Sequence, residues 1–451
     1  MRSWTVVVMA LGACSSSTHG FGHIDAPPVP IDAPDIYQVI PVTADLDILF
    51  VIQNADGMAS EQTVFAANFP QLVAALDAFP TGRPNLHIGV VSSTVDLGVQ
   101  GFAGCPSPAP NDNGLFQDTP RVTGCSPPTG RFISDVKNST GGRTVNYSGT
   151  LDQAFSCIAQ LGDTGCSFRA PLEGMKRGLD GSRPENAGFV RNGAILAVII
   201  LGNEDDCSAT DTSLFLLPAD QAGPGDFRCI AKGYQCDQPI STTAGGTYTN
   251  CAASTGPYER DPAYYFRFLT TIKPPGEIFV ATITGDPSST ITVDGSITEQ
   301  PSCTTTINGN PTRALAGIRI ADFVAQTAPE RSGQYTICQS DYSAALANIG
   351  QLLFSSVAPC ILGTFSTTDV DPNNPGVQLD CTVQDVSGTS ATVLPICTMS
   401  GPTTVDPSSP KPCWWTDVNA ASCPYTTSHF EVSFVRAAPP PAGTVTQLRC
   451  R

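Results

Sequence analysis

Residues 194–201 read AILAVIIL, bounded by Gly193 and Gly202. A run this apolar has no side that water can solvate. At eight residues it suits a strand, and a strand apolar on both faces must be covered on both faces, as in parallel sheets flanked by helices. Its neighbours in sequence fit that arrangement. Residues 47–52 (DILFVI), 86–91 and 278–284 are further apolar strands. Residues 61–79 carry Val64, Phe65, Leu72, Val73 and Leu76 on one helical side, with Pro70 as a break or kink. Leu151, Phe155, Ile158 and Leu161 recur at helical spacing. So do Leu172, Met175 and Leu179, where Glu173 and Arg177 form an exposed i,i+4 pair. Ala316, Ile320, Phe323 and Val324 mark another helix. Tyr342, Leu346, Ile349 and Leu353 mark the last, capped by Asp341. Strands alternating with helices predict an α/β fold with a doubly wound, mostly parallel sheet over residues 46–357.

Cysteine usage sets the compartment. The chain has 451 residues and 17 cysteines, with no Cys-x-x-Cys pair, so zinc and iron–sulfur sites are not expected. An odd count in an exported chain leaves one cysteine over, and Cys14 is the candidate. The other sixteen, Cys105, Cys125, Cys157, Cys166, Cys207, Cys229, Cys236, Cys251, Cys303, Cys338, Cys360, Cys381, Cys397, Cys413, Cys423 and Cys450, are expected to form eight disulfides. Short separation favours Cys157/Cys166, Cys413/Cys423 and Cys236/Cys251 as local pairs. Acidic residues outnumber basic ones 40 to 23, which argues against nucleic acid as a partner. No apolar run reaches the ~18 residues of a spanning helix.

The N-terminus reads as a targeting segment. Arg2 precedes a short apolar stretch that ends in Leu11-Gly12-Ala13-Cys14. That tetrad resembles the lipobox of bacterial lipoproteins, which implies cleavage after residue 13 and acylation of Cys14. Residues 14–45 then form a Pro-rich tether, with Ile24-Asp25-Ala26-Pro27 repeated as Ile31-Asp32-Ala33-Pro34. Two Cys-containing segments, 96–149 and 206–260, interrupt the strand–helix pattern as surface insertions. From 358 to 451 helical periodicity stops and six cysteines occur among Thr, Ser, Pro and Val. A small disulfide-rich β module is expected there, with strands near 378–383, 392–396, 429–435 and 444–448.

In a doubly wound sheet, ligands bind beyond the carboxyl ends of the strands. Those ends read Gln53-Asn54-Ala55-Asp56-Gly57-Met58, Ser92-Ser93-Thr94 and Gly202-Asn203-Glu204-Asp205-Asp206-Cys207. DILFVIQNADGM and LGNEDDCS resemble the DILFVIDNSGSM and TDEDDCS stretches of secreted bacterial lipoproteins with a von Willebrand factor type A (vWA) domain. The resemblance implies a vWA-like domain over 46–357. It also implies a Mg²⁺-type site of two Asp, two Ser and a Thr. Matched position by position, those ligands become Gln53, Asn203, Ala55 and Gly57, with Thr164 as the Thr counterpart. Two carboxylates are amides and two hydroxyls are gone, so the dication site is expected to be absent and no cofactor is expected. Asp56, Glu204, Asp205 and Asp206 are the alternative Ca²⁺ or Mg²⁺ ligands. The competing reading makes the three consecutive acids solvated turn residues or caps for the next helix.

An enzyme is not expected. There is no G-x-S-x-G and no G-x-x-x-x-G-K-[ST], and the four histidines are His19, His23, His87 and His429. Paired carboxylates of the glycosidase kind stay open, because 40 acids offer many pairs. The resulting expectation is a metal-independent binding or adhesion module, lipid-anchored in the bacterial cell envelope at the outer membrane. Its partner is an unknown protein or envelope ligand. The alternatives are an envelope scaffold and a secreted hydrolase.

Overall fold

The computed structural model describes residues 36–40 and 45–451, apart from 80–81, 103–104, 358, 388–389, 424–425, 439 and 442–443. The signal segment, Cys14 and most of the tether lie outside the described residues.

Seven strands form the central sheet: β1 (Leu46–Ile52), β2 (Leu86–Ser92), β3 (Ile133–Lys137), β4 (Arg143–Val145), β5 (Ile195–Gly202), β6 (Ile278–Thr284) and β7 (Ser332–Thr336). Their order is β7-β6-β5-β1-β2-β3-β4. The five from β7 to β2 run parallel, and β3 and β4 continue the sheet antiparallel. Segment 96–149 thus supplies the β3–β4 edge of the sheet as well as surface loops. All residues of β1, β5 and β6 are buried.

Alternate residues of β5 enter two different cores, as its unbroken apolar run requires. Ile195, Ala197, Ile199 and Leu201 pack under α1 (Met58–Asp77), α2 (Leu151–Ala159) and α6 (Ser343–Val357). Leu196, Val198 and Ile200 pack under α3 (Pro171–Leu179), α4 (Pro262–Ile272) and α5 (Ile318–Val324). On the first face Phe69 stacks on Phe155, ring centroids 3.8 Å apart, and Phe50 sits 4.7 Å from Phe155. Gly350 lets α6 approach α1, because a Cβ there would lie 2.4 Å from the Ala75 methyl. Of the break or kink expected at Pro70, no break occurs: α1 runs through it, with the proline on the exposed side. Asp341 accepts the Ser343 N–H at 2.8 Å at the start of α6, as expected.

The C-terminal segment has its own core of Ile361, Leu379, Val383, Leu394, Trp414, Val432 and Leu448. Its four-stranded sheet has the order Ile36–Ile40, Val445–Cys450, Cys381–Ser387, Ser390–Leu394. The edge strand Ile36–Ile40 comes from the segment expected to be tether, and pairs Ile36 with Cys450. The hairpin Cys413–Val418/Phe430–Val435 carries Trp414, whose indole N–H donates to Leu394 O at 3.0 Å.

All sixteen candidate cysteines pair: 105–166, 125–157, 207–229, 236–251, 303–338, 360–423, 381–450 and 397–413. Of the three local pairs expected, only Cys236–Cys251 forms. Cys166 lies in the cluster built by Val95, Leu97 and Cys105, away from Cys157 on α2. Cys413 shares a small core with Cys397, while Cys423 lies with Cys360 against the first face of the sheet. Packing, not proximity in sequence, selects the partners.

Candidate functional site at the strand ends

The chain leaves β1 toward β2 on one side and β5 toward β6 on the other. The crevice beyond the carboxyl ends of β1 and β5 is therefore the topological switch point of the sheet. Gln53 follows β1 there, and Asn203 follows β5. Gln53 is fully buried. Its Nε2 donates to Glu204 O at 2.6 Å, and its Oε1 accepts from Glu204 N at 3.1 Å. Gly202 makes room for this, since a Cβ would meet the Gln53 amide at 2.4 Å. Asn54 Oδ1 accepts from Thr94 Oγ1 at 2.9 Å, and Asn54 O accepts from Gly165 N at 2.7 Å. Ala55 is buried, whereas Asp56 and Thr164 are exposed. Gly57 begins α1 at φ +87°, and a Cβ on it would lie 2.9 Å from Asn203 Nδ2. Asn203 Nδ2 donates to Asp56 O at 3.3 Å, while its Oδ1 is buried without a partner.

Arg169, 3 % exposed, bridges the two loops. Its guanidinium pairs with the Glu204 carboxylate and donates to Asp56 O at 3.3 Å and to Ser167 O at 3.0 Å. Sequence reasoning passed over this residue. Its role comes from the loop after α2, which the Cys105–Cys166 disulfide fixes, and no local pattern marks it.

The three consecutive acids are neither a metal cage nor solvated turn residues. They take three directions. Glu204 meets Arg169. Asp205 accepts the Arg319 and Ile320 N–H groups at 2.7 and 3.0 Å at the start of α5, and the Tyr234 hydroxyl at 2.8 Å. Asp206 accepts the Leu172 N–H at 3.1 Å in the first turn of α3 and the Ser208 hydroxyl at 2.6 Å. Asp205 and Asp206 do cap helices, but these helices are distant in sequence. Behind them, fully buried Arg319 lies 3.3 Å from Asp206 and 3.1 Å from Glu259. Burial pushes Glu204 up to about 7 and Asp205 up to about 6, against the pull of their cationic and N–H partners.

Next to this crevice lies a cavity of about 260 Å³. The 206–260 insertion contributes Phe227, Cys229 and Ile230 to its lining, and the loop after β6 contributes Ile297, Glu299 and Arg313. Glu299 is 2 % exposed, and neither of its carboxylate oxygens has a hydrogen-bond partner of normal geometry. Burial, then the Asp205 charge, pushes it up to about 8, against the nearby Ala316 amide. The loop from 285 to 316 has no helical periodicity, and nothing in the sequence distinguishes Glu299 among 40 acids.

Among the described residues, the one group with metal-ligand spacing is Cys207, Cys229 and Glu259, and both cysteines are spent in a disulfide. Of the histidines, His87 Nδ1 is tied to Phe189 O at 2.8 Å and His429 Nδ1 to Cys423 O at 2.7 Å, both away from the crevice.

No family profile matches the sequence, and no curated protein matches it. Solved structures do. The pilus adhesin SpaC from Lactobacillus rhamnosus GG, in its open conformation, aligns with 92 % of this chain at 10 % identity and TM-score 0.30. A von Willebrand factor type A protein from Catenulispora acidiphila aligns with 92 % at 10 % identity and TM-score 0.28. The pilus adhesin RrgA from Streptococcus pneumoniae aligns with 93 % at 10 % identity and TM-score 0.28. This chain spans only 40 %, 64 % and 57 % of those three chains. Scores this low carry no argument about the site, which rests on the strand order and the side-chain geometry.

Proposed function

We propose that this chain is a binding module built on a doubly wound vWA-type domain, held at the cell envelope by a lipid on Cys14, that engages its ligand at the carboxyl ends of β1 and β5 without a divalent cation. The observation that carries this reading is the Arg169 guanidinium, which joins the β1 loop to the β5 loop through Asp56 O and Glu204. A hard dication needs several ionised oxygen ligands to offset its dehydration. Here the positions matched to the metal ligands hold the Gln53 amide, already bonded in both directions, Ala55, Gly57 and Asn203, and the Glu204 carboxylate on the β5 loop is taken by Arg169. A fixed positive charge beside them opposes a second one. These residues do not fit the metal. They fit a prebuilt, rigid edge for contact with a protein or envelope ligand.

The test is a thermal-shift titration of the mature chain with Mg²⁺, Mn²⁺ and Ca²⁺, with and without chelator. The expected result is an unchanged melting temperature in every arm. A rise with any one ion, reversed by chelator, overturns metal independence. Labelling with palmitate in cells, lost in Cys14→Ser, tests the anchor.

A further inference from the structure

The cavity beside Arg169 is built around the Glu299 carboxyl group, which forms no ion pair with a cation among the described residues. Its lining holds five acids, Glu204, Asp205, Asp206, Asp226 and Glu299, against two cations, Arg169 and Arg313. Five of the seven have other ties, with Arg169 reaching Asp226 at 3.5 Å as well as Glu204. Glu204 is held by Arg169, Asp205 by the N–H groups opening α5, and Asp206 by Leu172 N and Arg319. Among the residues lining the cavity, Glu299 alone is buried with neither oxygen in a hydrogen bond of normal geometry, the Ala316 amide being the one donor near it. A buried carboxyl without a partner is costly, and one that also lines a cavity is placed where a ligand can complete it.

The turn that presents Glu299 is held firmly. Asp294 Oδ1 accepts from Ser296 N and Thr298 N, and Val293 bridges to Glu299 in antiparallel fashion. Ile297, a β-branched residue, sits at φ +59° in the same lining. Part of the remaining lining is apolar, from Phe227, Ile230, Leu315 and the Cys207–Cys229 disulfide, beside the polar Ser167 and Thr298.

We propose that this cavity binds a primary ammonium group on an alkyl stem, such as a lysine side chain of a protein partner, with Glu299 as its counter-ion. Two observations favour an organic cation over a metal ion. Three oxygens that share one Ca²⁺ at ~2.3–2.6 Å must lie within about 5 Å of one another. Among the described residues no three carboxylates meet that condition. The apolar walls match a methylene stem, which buries along apolar surface while its charged head reaches a carboxylate. The assignment rests on the binding-module reading only for the source of the ammonium; the cavity chemistry stands by itself. Glu299 faces Asp205, Glu204 and Tyr234 across the cavity, with the Ala316 amide beside it and Arg313 exposed in the lining. Surrounded by acids and buried, its carboxyl keeps its proton at neutral pH until a cation arrives. Binding of the ammonium then releases that proton.

The experiment is a calorimetric and NMR titration of the full mature chain with n-butylamine, Nα-acetyl-lysine amide, Nε-acetyl-lysine and n-butanol at pH 6, 7 and 8. The two amines are expected to saturate one site, at least tenfold tighter at pH 8 than at pH 6, with proton release. The acetylated lysine and the alcohol are expected to show no saturation. Glu299→Gln should abolish amine binding without lowering the melting temperature at any of the three pH values. Leu315→Trp, which narrows the cavity and leaves Glu299 in place, is the second variant and should weaken binding at least tenfold. Binding of n-butylamine alone supports the site and assigns it to free amines; binding of both supports a lysine. No saturation by either amine, amine binding that survives both variants, or Ca²⁺ binding that Glu299→Gln removes would each overturn the proposal. The metal thermal-shift series separately decides metal independence at the β1 and β5 loops, so the two failures are distinguishable.

Discussion

The Gln53 side-chain amide and the Glu204 backbone are paired in both directions, N–H to carbonyl at 2.6 Å and carbonyl to N–H at 3.1 Å. A carboxylate at position 53 accepts but cannot donate, so Gln53→Asp leaves the Glu204 carbonyl unpaired and places a charge at a fully buried position. We expect this variant to lose about 1–3 kcal/mol, because a buried polar group stripped of its partner costs that much. Urea denaturation of the variant beside the parent checks it. An unchanged midpoint means that the two-way pair does not hold the β1 and β5 loops together.

The same geometry predicts the outcome of rebuilding the metal site. Gln53→Asp, Ala55→Ser, Gly57→Ser and Asn203→Asp together restore the oxygen ligands that the vWA resemblance implies. Ligand identity alone is not enough. Gly57 is at φ +87° with Asn203 Nδ2 at 2.9 Å from a Cβ position, and Arg169 stays beside the loop. The quadruple variant is expected to bind no Mg²⁺ or Mn²⁺ by calorimetry. Adding Arg169→Ala is expected to bring the first measurable binding. Tight binding by the quadruple variant itself would show that Arg169 swings aside freely.

Ile199 and Ile200 are adjacent, fully buried and committed to opposite cores. Each change to Ala should cost about 2–5 kcal/mol. Because the cavities open on different faces of the sheet, the two losses should add within about 0.5 kcal/mol. A double-mutant cycle by chemical denaturation measures this. Strong coupling would mean that the two faces do not pack independently.

Residues 194–201 were legible because a run apolar on every position has one stable environment. Five of the six helices on the sheet followed from periodicity, while Pro262–Ile272 was missed, and the strand ends that place Gln53 and Asn203 followed from the apolar runs before them. What stayed hidden depends on distant chain. Arg169 acts because the Cys105–Cys166 disulfide and the turn after α2 bring it to Glu204. Asp205 and Asp206 cap helices 114 and 34 residues away, beyond any local pattern. Ile36–Ile40 looked like tether because its strand partner lies at the opposite end of the chain. Glu299 has no sequence signal at all; only its burial without a partner singles it out.

Loop length should rank the disulfides. Cys381–Cys450 closes a separation of 69 residues and Cys236–Cys251 one of 15. If cross-links act by restricting the unfolded chain, the longer loop is worth about 1 kcal/mol more. Replacing each pair by serine and comparing denaturation midpoints tests the ranking. Full reduction should lower the melting temperature far more than either pair, and chelator should leave it unchanged.

Stability should fall with rising pH. Burial pushes Glu299 up to about 8, Glu204 up to about 7, and Asp205 and Asp47 up to about 6. In the unfolded chain these groups titrate near 4. The folded chain therefore holds more protons than the unfolded one between about pH 4 and pH 8, and in that window stability drops as pH rises. The contribution is fully present below pH 4 and is lost as pH passes through each folded value. Urea midpoints at pH 5, 6, 7 and 8 should decline steadily. Glu299→Gln removes the group with the highest of these values, so its curve should flatten most between pH 6 and pH 8. At pH 8 the variant should be more stable than the parent, since an amide needs no proton to stay neutral in the cavity. A parent more stable at pH 8 than the variant would show that Glu299 is ionised and satisfied in the folded chain.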